Sequence, residues 1–109
     1  MVEGLFKGRF QTDLGSGEAI VSLHGGVVEG GDPIMYYMGT YSEEGGHFAA
    51  TLRTARHATV SGFSSVFGKD KVTIKLSGTV SGDRIDAQGE SPKAPRVKFS
   101  AIFKRLPRP

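Results

Sequence analysis

Apolar and polar residues alternate along most of this chain, and turns rich in glycine interrupt the alternation roughly every ten residues. The segment 71–80 shows the pattern most clearly, because valine, isoleucine and leucine alternate there with lysine, threonine and serine. A period of two places successive side chains on opposite faces of a β-strand. Short strands separated by regular turns are typical of all-β sandwiches and barrels. The sequence therefore predicts an all-β fold.

The spacing of the turns divides the chain into eight predicted strands, near residues 4–11, 17–24, 27–29, 34–41, 48–56, 71–80, 84–88 and 97–104. Gly25 and Gly26 indicate a tight hairpin, because both central positions of a primed turn need a positive φ. Eight short strands favour an antiparallel up-and-down β-barrel, which leaves no unpaired sheet edge. A two-sheet sandwich is the alternative. Phe63, Val66 and Phe67 have the spacing of one helical turn, so we expect a short helical or irregular segment near 60–68.

The composition of the chain limits the classes of site that it can contain. With 109 residues it fits a single domain spanning 1–109, and 16 glycines, about twice the usual share, indicate many turns. The chain has no cysteine, which excludes disulfides, thiolate nucleophiles and cysteine-based metal sites. His24, His47 and His57 are too widely spaced to form a metal-binding motif. We therefore predict no metal and no cofactor.

No arrangement of residues in the sequence is typical of catalysis. The serines lie in no nucleophile-elbow motif, and no pattern of histidine and carboxylate indicates a catalytic triad. Residues 1–5 lack the basic and apolar segments of a secretion signal, and no apolar run approaches the roughly 20 residues of a membrane helix. We predict a cytoplasmic protein that is not an enzyme and does not bind membranes.

The predicted strand near 34–41 is apolar on both of its faces. Ile34, Tyr36 and Met38 alternate with a second apolar set, although a strand of a small barrel normally has one face in water. Tyrosine and methionine are enriched at protein interfaces because they combine contact area with adaptability. We therefore predict that Ile34, Tyr36 and Met38 form a dimer or partner surface. The alternative is that the loop near 58–70 covers them.

The phenylalanines of the chain suggest a possible ligand pocket inside the barrel. An eight-stranded barrel has room for side chains alone or for one small ligand, and apolar cavities often hold lipophilic ligands. The residues that would line or cap this pocket are Phe6, Phe10, Phe63, Val66, Phe67, Phe99 and Phe103. The alternative is that these side chains simply fill the core. A carrier of a small apolar ligand is therefore a second functional hypothesis.

Basic residues are concentrated in the second part of the chain. The formal net charge is +3, and six basic residues but no acidic residue follow Glu90. A basic stripe can attract phosphate backbones or an acidic protein. However, Phe99 and Phe103 alternate with Lys98 and Lys104, which places rings and charges on opposite faces of the strand. Single-strand binding needs both on one surface, so nucleic-acid binding is the least favoured hypothesis.

Short motifs along nearly the whole chain resemble one protein family. They include Gly-Gly-Asp at 30–32 followed by Tyr37 and Gly39, and Val-Phe-Gly at 66–68 ahead of the strand near 71–80. In these motifs the chain resembles the GrlR-like negative regulators of bacterial type III secretion. The resemblance implies a lipocalin-like β-barrel that forms a homodimer and acts by binding a transcriptional activator.

The same resemblance implies that an acidic turn recognises the partner. The matching residues are Ser42, Glu43 and Glu44, which two glycines follow. Carboxylates in an exposed turn can dock a basic surface, where charge complementarity governs encounter and choice of partner. The alternative is that these residues are ordinary polar groups of a hairpin turn, whose exposed charges contribute little.

Overall fold

A computed structural model describes residues 1–59, 71–91 and 98–109. These residues form eight strands, and each strand pairs in antiparallel orientation with the next along the chain. The eighth strand also pairs with the first, which closes the sheet into a barrel. The strands are β1 Gly4–Thr12, β2 Gly15–His24, β3 Val27–Gly31, β4 Met35–Glu44, β5 His47–Arg56, β6 Val72–Ser81, β7 Arg84–Glu90 and β8 Phe99–Arg105. The closed antiparallel barrel confirms the predicted fold and excludes the two-sheet sandwich that was the alternative.

All eight predicted strands are present, but several are longer than the alternation indicated. β2 begins at Gly15, β3 continues to Gly31, and β4 continues to Glu44. These strands are longer because residues that the sequence pattern places in turns still pair with residues of the neighbouring strand. The helical or irregular segment predicted near 60–68 lies outside the described residues. Within the described ranges, no helix is long and apolar enough to cross a bilayer.

Two-residue turns keep neighbouring strands paired up to their ends. Gly45 and Gly46 have φ angles of 56° and 84°, and Glu44 pairs with His47 on either side of them. Two successive positive φ angles are those of a type I′ turn, whose twist matches the twist of paired strands. Glycine adopts these angles without the steric cost that other residues carry. Glu43 and Glu44 therefore belong to β4, and the turn itself consists of the two glycines.

The core is the interior of the barrel, and alternate side chains of the strands fill it. The ring centroid of Phe10 lies 5.5 Å from that of Phe99, 5.8 Å from that of Phe103 and 5.6 Å from that of Tyr37. Offset and edge-to-face contacts of this kind stabilise aromatic pairs beyond their burial. A void beside Phe48 and Phe103 has a volume of about 10 Å³, close to the least that one water needs. The aromatic side chains thus pack against one another.

Gly39 allows β4 and β5 to approach closely. It lies opposite Leu52, and a Cβ added to Gly39 would overlap the backbone oxygen of Thr51. Glycine inside a strand often marks a bend or a close backbone approach. A larger residue at position 39 would therefore force β4 and β5 apart.

Candidate functional site

The corner between β3 and β4 sets the orientation of the candidate site. Oδ1 of Asp32 accepts hydrogen bonds from the backbone N–H groups of Ile34, at 2.9 Å, and Met35, at 2.7 Å. The hydroxyl of Tyr37 donates to Oδ2 of Asp32 at 2.7 Å. Aspartate favours turns because its side chain satisfies the backbone two or three residues later. This corner therefore fixes the position from which β4 begins.

Ile34 does not lie on the outer face with Tyr36 and Met38, and the prediction that grouped the three was wrong in this respect. Its side chain is 5% exposed and belongs to the core. Strand alternation begins only at Met35, because Ile34 is still part of the corner held by Asp32. The carbonyl of Ile34 also accepts a hydrogen bond from the N–H of His57 at 2.9 Å. Two successive residues, Ile34 and Met35, consequently belong to the buried core.

Tyr36 and Met38 lie on the outer face of β4, as the alternation predicted. Tyr36 is 42% exposed and Met38 is 52% exposed. Gly31 pairs with Tyr36 and also with Ile20 of β2, whose side chain is 45% exposed. Gly31, which has no side chain, lies between Ile20 and Tyr36 on this face, so no polar side chain intervenes on that line. An apolar surface thus extends from β2 to β4.

Two opposite charges border this apolar surface. Met38 pairs with Glu29 of β3 on one side and with Arg53 of β5 on the other. Both charged side chains are exposed, and neither forms an ion pair with any residue between 1 and 59 or in the other described ranges. We name the whole surface the β4 face; it consists of Ile20, Glu29, Gly31, Tyr36, Met38 and Arg53.

The sequence did not identify Ile20 as part of this surface. In β2, Ile20 alternates with buried Ala19 and Val21, so a local pattern shows only a single apolar residue on a polar face. Its importance depends on the register of three strands, which places Ile20, Gly31 and Tyr36 in one line. A residue pattern within one strand cannot reveal such a line.

One edge of the β4 face lies beside His57. The ring centroid of His57 is 6.3 Å from that of Tyr36. The loop near 58–70 is the alternative cover for the outer face of β4, and its residues 60–70 lie outside the described residues. Within residues 1–59, Tyr36 and Met38 retain their exposure.

The three residues of the acidic turn do not form one exposed patch. Oε1 of Glu43 accepts a hydrogen bond of 2.6 Å from the N–H of Val2, and Tyr41 donates its hydroxyl to the carbonyl of Val2, also at 2.6 Å. Glu43 therefore holds the N-terminal segment against one end of the barrel. Ser42 and Glu44 are exposed on the outer face of β4. Only Glu44 presents an outward carboxylate here.

The structure places the described members of the predicted ligand pocket in the core. Phe6, Phe10, Phe99 and Phe103 are each at most 4% exposed. Their rings and the neighbouring side chains occupy the interior that a ligand would need. Phe63, Val66 and Phe67 lie outside the described residues.

Asp32, Tyr37 and His57 come together at the corner between β3 and β4. Nε2 of His57 lies 2.8 Å from the backbone carbonyl of Asp32, whereas the carboxylate of Asp32 bonds Tyr37 and two backbone N–H groups. Burial, together with the hydrogen bond to Asp32, raises the pKa of Tyr37. The Tyr37 hydroxyl is thus a permanent donor at neutral pH. This cluster stabilises the corner.

Comparison of the chain with models of known protein families and with curated proteins found no match. The resemblance to GrlR-like regulators therefore remains a prediction from the motifs. The exposed β4 face is the feature of the described barrel that most needs a functional explanation.

Proposed function

We propose that this chain is a small cytoplasmic regulatory protein that acts by protein–protein contact and forms a homodimer. The proposal follows the resemblance to negative regulators that bind a transcriptional activator of type III secretion. A closed barrel of eight antiparallel strands is compatible with the lipocalin-like fold that the resemblance implies. The absence of cysteine suits a reducing compartment.

The exposed apolar part of the β4 face is the observation that carries this proposal. Ile20, Tyr36 and Met38 remain outside although the interior of the barrel is packed with other apolar side chains. Contiguous exposed apolar surface is a mark of contact with another molecule, especially where polar residues surround it. Burial of tyrosine and methionine at an interface removes this surface from water.

The charges of the β4 face favour a second copy of the chain as the occupant. Strands lie about 4.8 Å apart, so Glu29 and Arg53 lie at similar distances on opposite sides of Met38. A two-fold axis parallel to β4 would place Glu29 of each copy opposite Arg53 of the other. A two-fold axis perpendicular to β4, within the interface, would instead place Glu29 opposite Glu29. The face is self-complementary in the first arrangement, as an isologous dimer requires.

The regulated partner is, by the same resemblance, a transcriptional regulator. The acidic turn contributes less to its recognition than the sequence suggested, because Glu43 bonds Val2 within the chain. Ser42 and Glu44 remain available on the outer face. The carrier and nucleic-acid hypotheses have less support. The described phenylalanine rings pack on one another inside the barrel, where they fill the space of a ligand and are not exposed for stacking on bases.

A comparative capture experiment tests the function. Wild-type protein, the Tyr36→Lys/Met38→Lys variant and a Ser77→Lys/Thr79→Lys control would each be immobilised and exposed to lysate of the source organism. The control adds the same charge to the exposed outer face of β6. We expect a transcriptional regulator to bind wild type and control and to be lost with the β4-face variant. Capture of no regulatory protein, or equal capture by all three, would contradict the proposal.

A further inference from the structure

A second unusual surface lies on the outer face of β1, β8 and β7, and it adjoins the β4 face because Lys7 of β1 pairs with Ile20 of β2. Lys104 of β8 pairs with Lys7 of β1 on one side and with Arg84 of β7 on the other. Three cationic residues therefore occupy one line across three neighbouring strands. Like charges directly opposite each other destabilise a sheet. Such a line needs an explanation other than the stability of the barrel.

The next line of the same face contains a mixture of residue types. Ile102 of β8 pairs with Arg9 of β1 and with Asp86 of β7. Ile102 is half-buried, and its side chain forms an apolar floor between the charged groups. A cleft of about 220 Å³ lies over Arg9 and Ile102, and its lining also includes Lys7, Glu18, Arg84 and Lys104.

Ion pairs neutralise only the margins of this cleft. Nζ of Lys7 lies 2.9 Å from the carboxylate of Glu18. Arg84 donates two hydrogen bonds to the carboxylate of Asp86, at 2.8 and 2.9 Å.

The two remaining cations of the cleft have no partner of this kind. Arg9 and Lys104 form no ion pair with any residue that the structure describes. Arg9 pairs with Ile102 across the strands, and Lys104 follows Ile102 by two residues on the same face of β8. Glu18 and Asp86 are already ion-paired with Lys7 and Arg84, so the four cations of the cleft exceed the two neighbouring carboxylates by two charges.

The fields of these two cations reach the marginal carboxylates. The pKa of Glu18 is lowered chiefly by Lys7, with a smaller contribution from Arg9. The pKa of Asp86 is lowered chiefly by Arg84, with a smaller contribution from Lys104. An anionic group bound between Arg9 and Lys104 would experience the same attraction.

We propose that this cleft, centred on Arg9, Ile102 and Lys104, binds an acidic segment of a partner protein. Arg9 and Lys104 can hold carboxylates of the segment, and Ile102, which adjoins both cations, can contact an apolar side chain of it. Charge complementarity of this kind accelerates encounter and selects the partner. The inference does not depend on the β4 face, because the two surfaces share no residue.

A nucleic acid fits this cleft less well than a peptide. Glu18 and Asp86 border the cleft on two sides. A phosphate backbone carries a charge at every nucleotide and would meet these carboxylates as it continued past the cleft, whereas a short segment with two carboxylates can avoid them. Sequence-independent binding of single strands also uses exposed aromatic platforms. The rings of Phe99 and Phe103, on the same strand as Ile102, face the interior instead.

Amide NMR of the isotope-labelled protein at low salt provides the test. The probes are the capped peptide Gly-Glu-Leu-Glu-Gly, its glutamine analogue and oligothymidylate. Arg9→Gln/Lys104→Gln is compared with a Lys71→Gln/Lys75→Gln control, which removes the same charge from exposed positions beside and within β6. Dispersed spectra of both variants would establish that they fold.

We expect the acidic peptide to shift the amides of Arg9, Ile102 and Lys104, and the glutamine analogue to leave them unchanged. The Arg9→Gln/Lys104→Gln variant should bind the acidic peptide at least tenfold more weakly, whereas the control should match wild type. The proposal is overturned if those amides do not shift, if the double variant binds as wild type does, or if oligothymidylate binds the same amides more tightly. Failure here would leave the capture experiment on the β4 face unaffected.

Discussion

The hydroxyl of Tyr37 donates a 2.7 Å hydrogen bond to Oδ2 of Asp32, and so links an inward-facing residue of β4 to the corner where that strand begins. The other oxygen of Asp32 accepts two backbone hydrogen bonds from the same corner. Asp32 and Tyr37 are therefore one unit, which explains in physical terms why both residues occur in the motif at 30–39. The unit determines which residues of β4 point outward, and hence the composition of the β4 face.

Replacement of Asp32 should destabilise the barrel. Asp32→Ala leaves two backbone donors and the Tyr37 hydroxyl without their acceptor, and we expect a loss of about 3 kcal/mol in the free energy of unfolding. Tyr37→Phe removes only one of these bonds and should cost about 1.5 kcal/mol. Urea denaturation measures both values. Asp13→Ala, at an exposed turn, is the matched control. If Asp13→Ala lowered the free energy of unfolding as much as Asp32→Ala does, Asp32 would have no special role in stabilising the corner.

The raised pKa of Tyr37 predicts a loss of stability in alkaline solution. Below pH 10, the folded and unfolded states both hold the Tyr37 proton. Above pH 10 the unfolded state releases it while the folded state retains it, so the free energy of unfolding falls by up to about 1.4 kcal/mol per pH unit.

Denaturation between pH 8 and pH 12 compares wild type with Tyr37→Phe to measure this contribution. The stability difference between the two should shrink as the pH rises, because only wild type carries this titration. Tyr36→Phe, which removes an exposed hydroxyl from the same strand, serves as the control. A difference between wild type and Tyr37→Phe that stays constant over this range would contradict the assignment.

Gly39 and Gly45 should respond differently to substitution, because they serve different purposes. A Cβ at Gly39 would overlap the backbone oxygen of Thr51, so Gly39→Ala forces β4 and β5 apart and should cost about 3 kcal/mol or more. Gly45 has a φ of 56° with open space around it, and Gly45→Asn should cost less than about 1 kcal/mol. Thermal denaturation of both variants measures the two losses of stability. A larger loss for Gly45→Asn than for Gly39→Ala would rule out this explanation.

The sequence predicted the parts of the barrel that depend on local alternation. It located all eight strands and the inward phenylalanines Phe6, Phe10, Phe99 and Phe103, because period-two patterning is a property of neighbouring residues. It misplaced Ile34, because the side chain of Asp32 extends the corner past the first residue of the alternating run.

The features that depend on strand register could not be predicted from the sequence. The line from Ile20 through Gly31 to Tyr36 requires the pairing of three strands. The line of Lys7, Lys104 and Arg84 requires closure of β8 on β1. The bond between Glu43 and Val2 also joins residues that are distant in the chain. Alternation decides which way a side chain points, whereas register decides which side chains are neighbours.

The two-fold arrangement of the β4 face predicts the effect of charge reversal. Glu29→Lys places a lysine opposite Arg53 of the second copy, and Arg53→Glu places a glutamate opposite Glu29. Each single variant should therefore dimerise roughly tenfold more weakly than wild type, a change of about 1.4 kcal/mol. The Glu29→Lys/Arg53→Glu double variant should recover most of the affinity, because both contacts are again between opposite charges.

Sedimentation equilibrium of an equal mixture of the Glu29→Lys and Arg53→Glu variants tests the account most directly. In the mixed dimer each contact joins a positive and a negative residue, so we expect the mixture to form dimers at concentrations at which each variant alone is monomeric. A wild-type chain that stays monomeric, or a mixture that associates no better than its components, would contradict the proposed face.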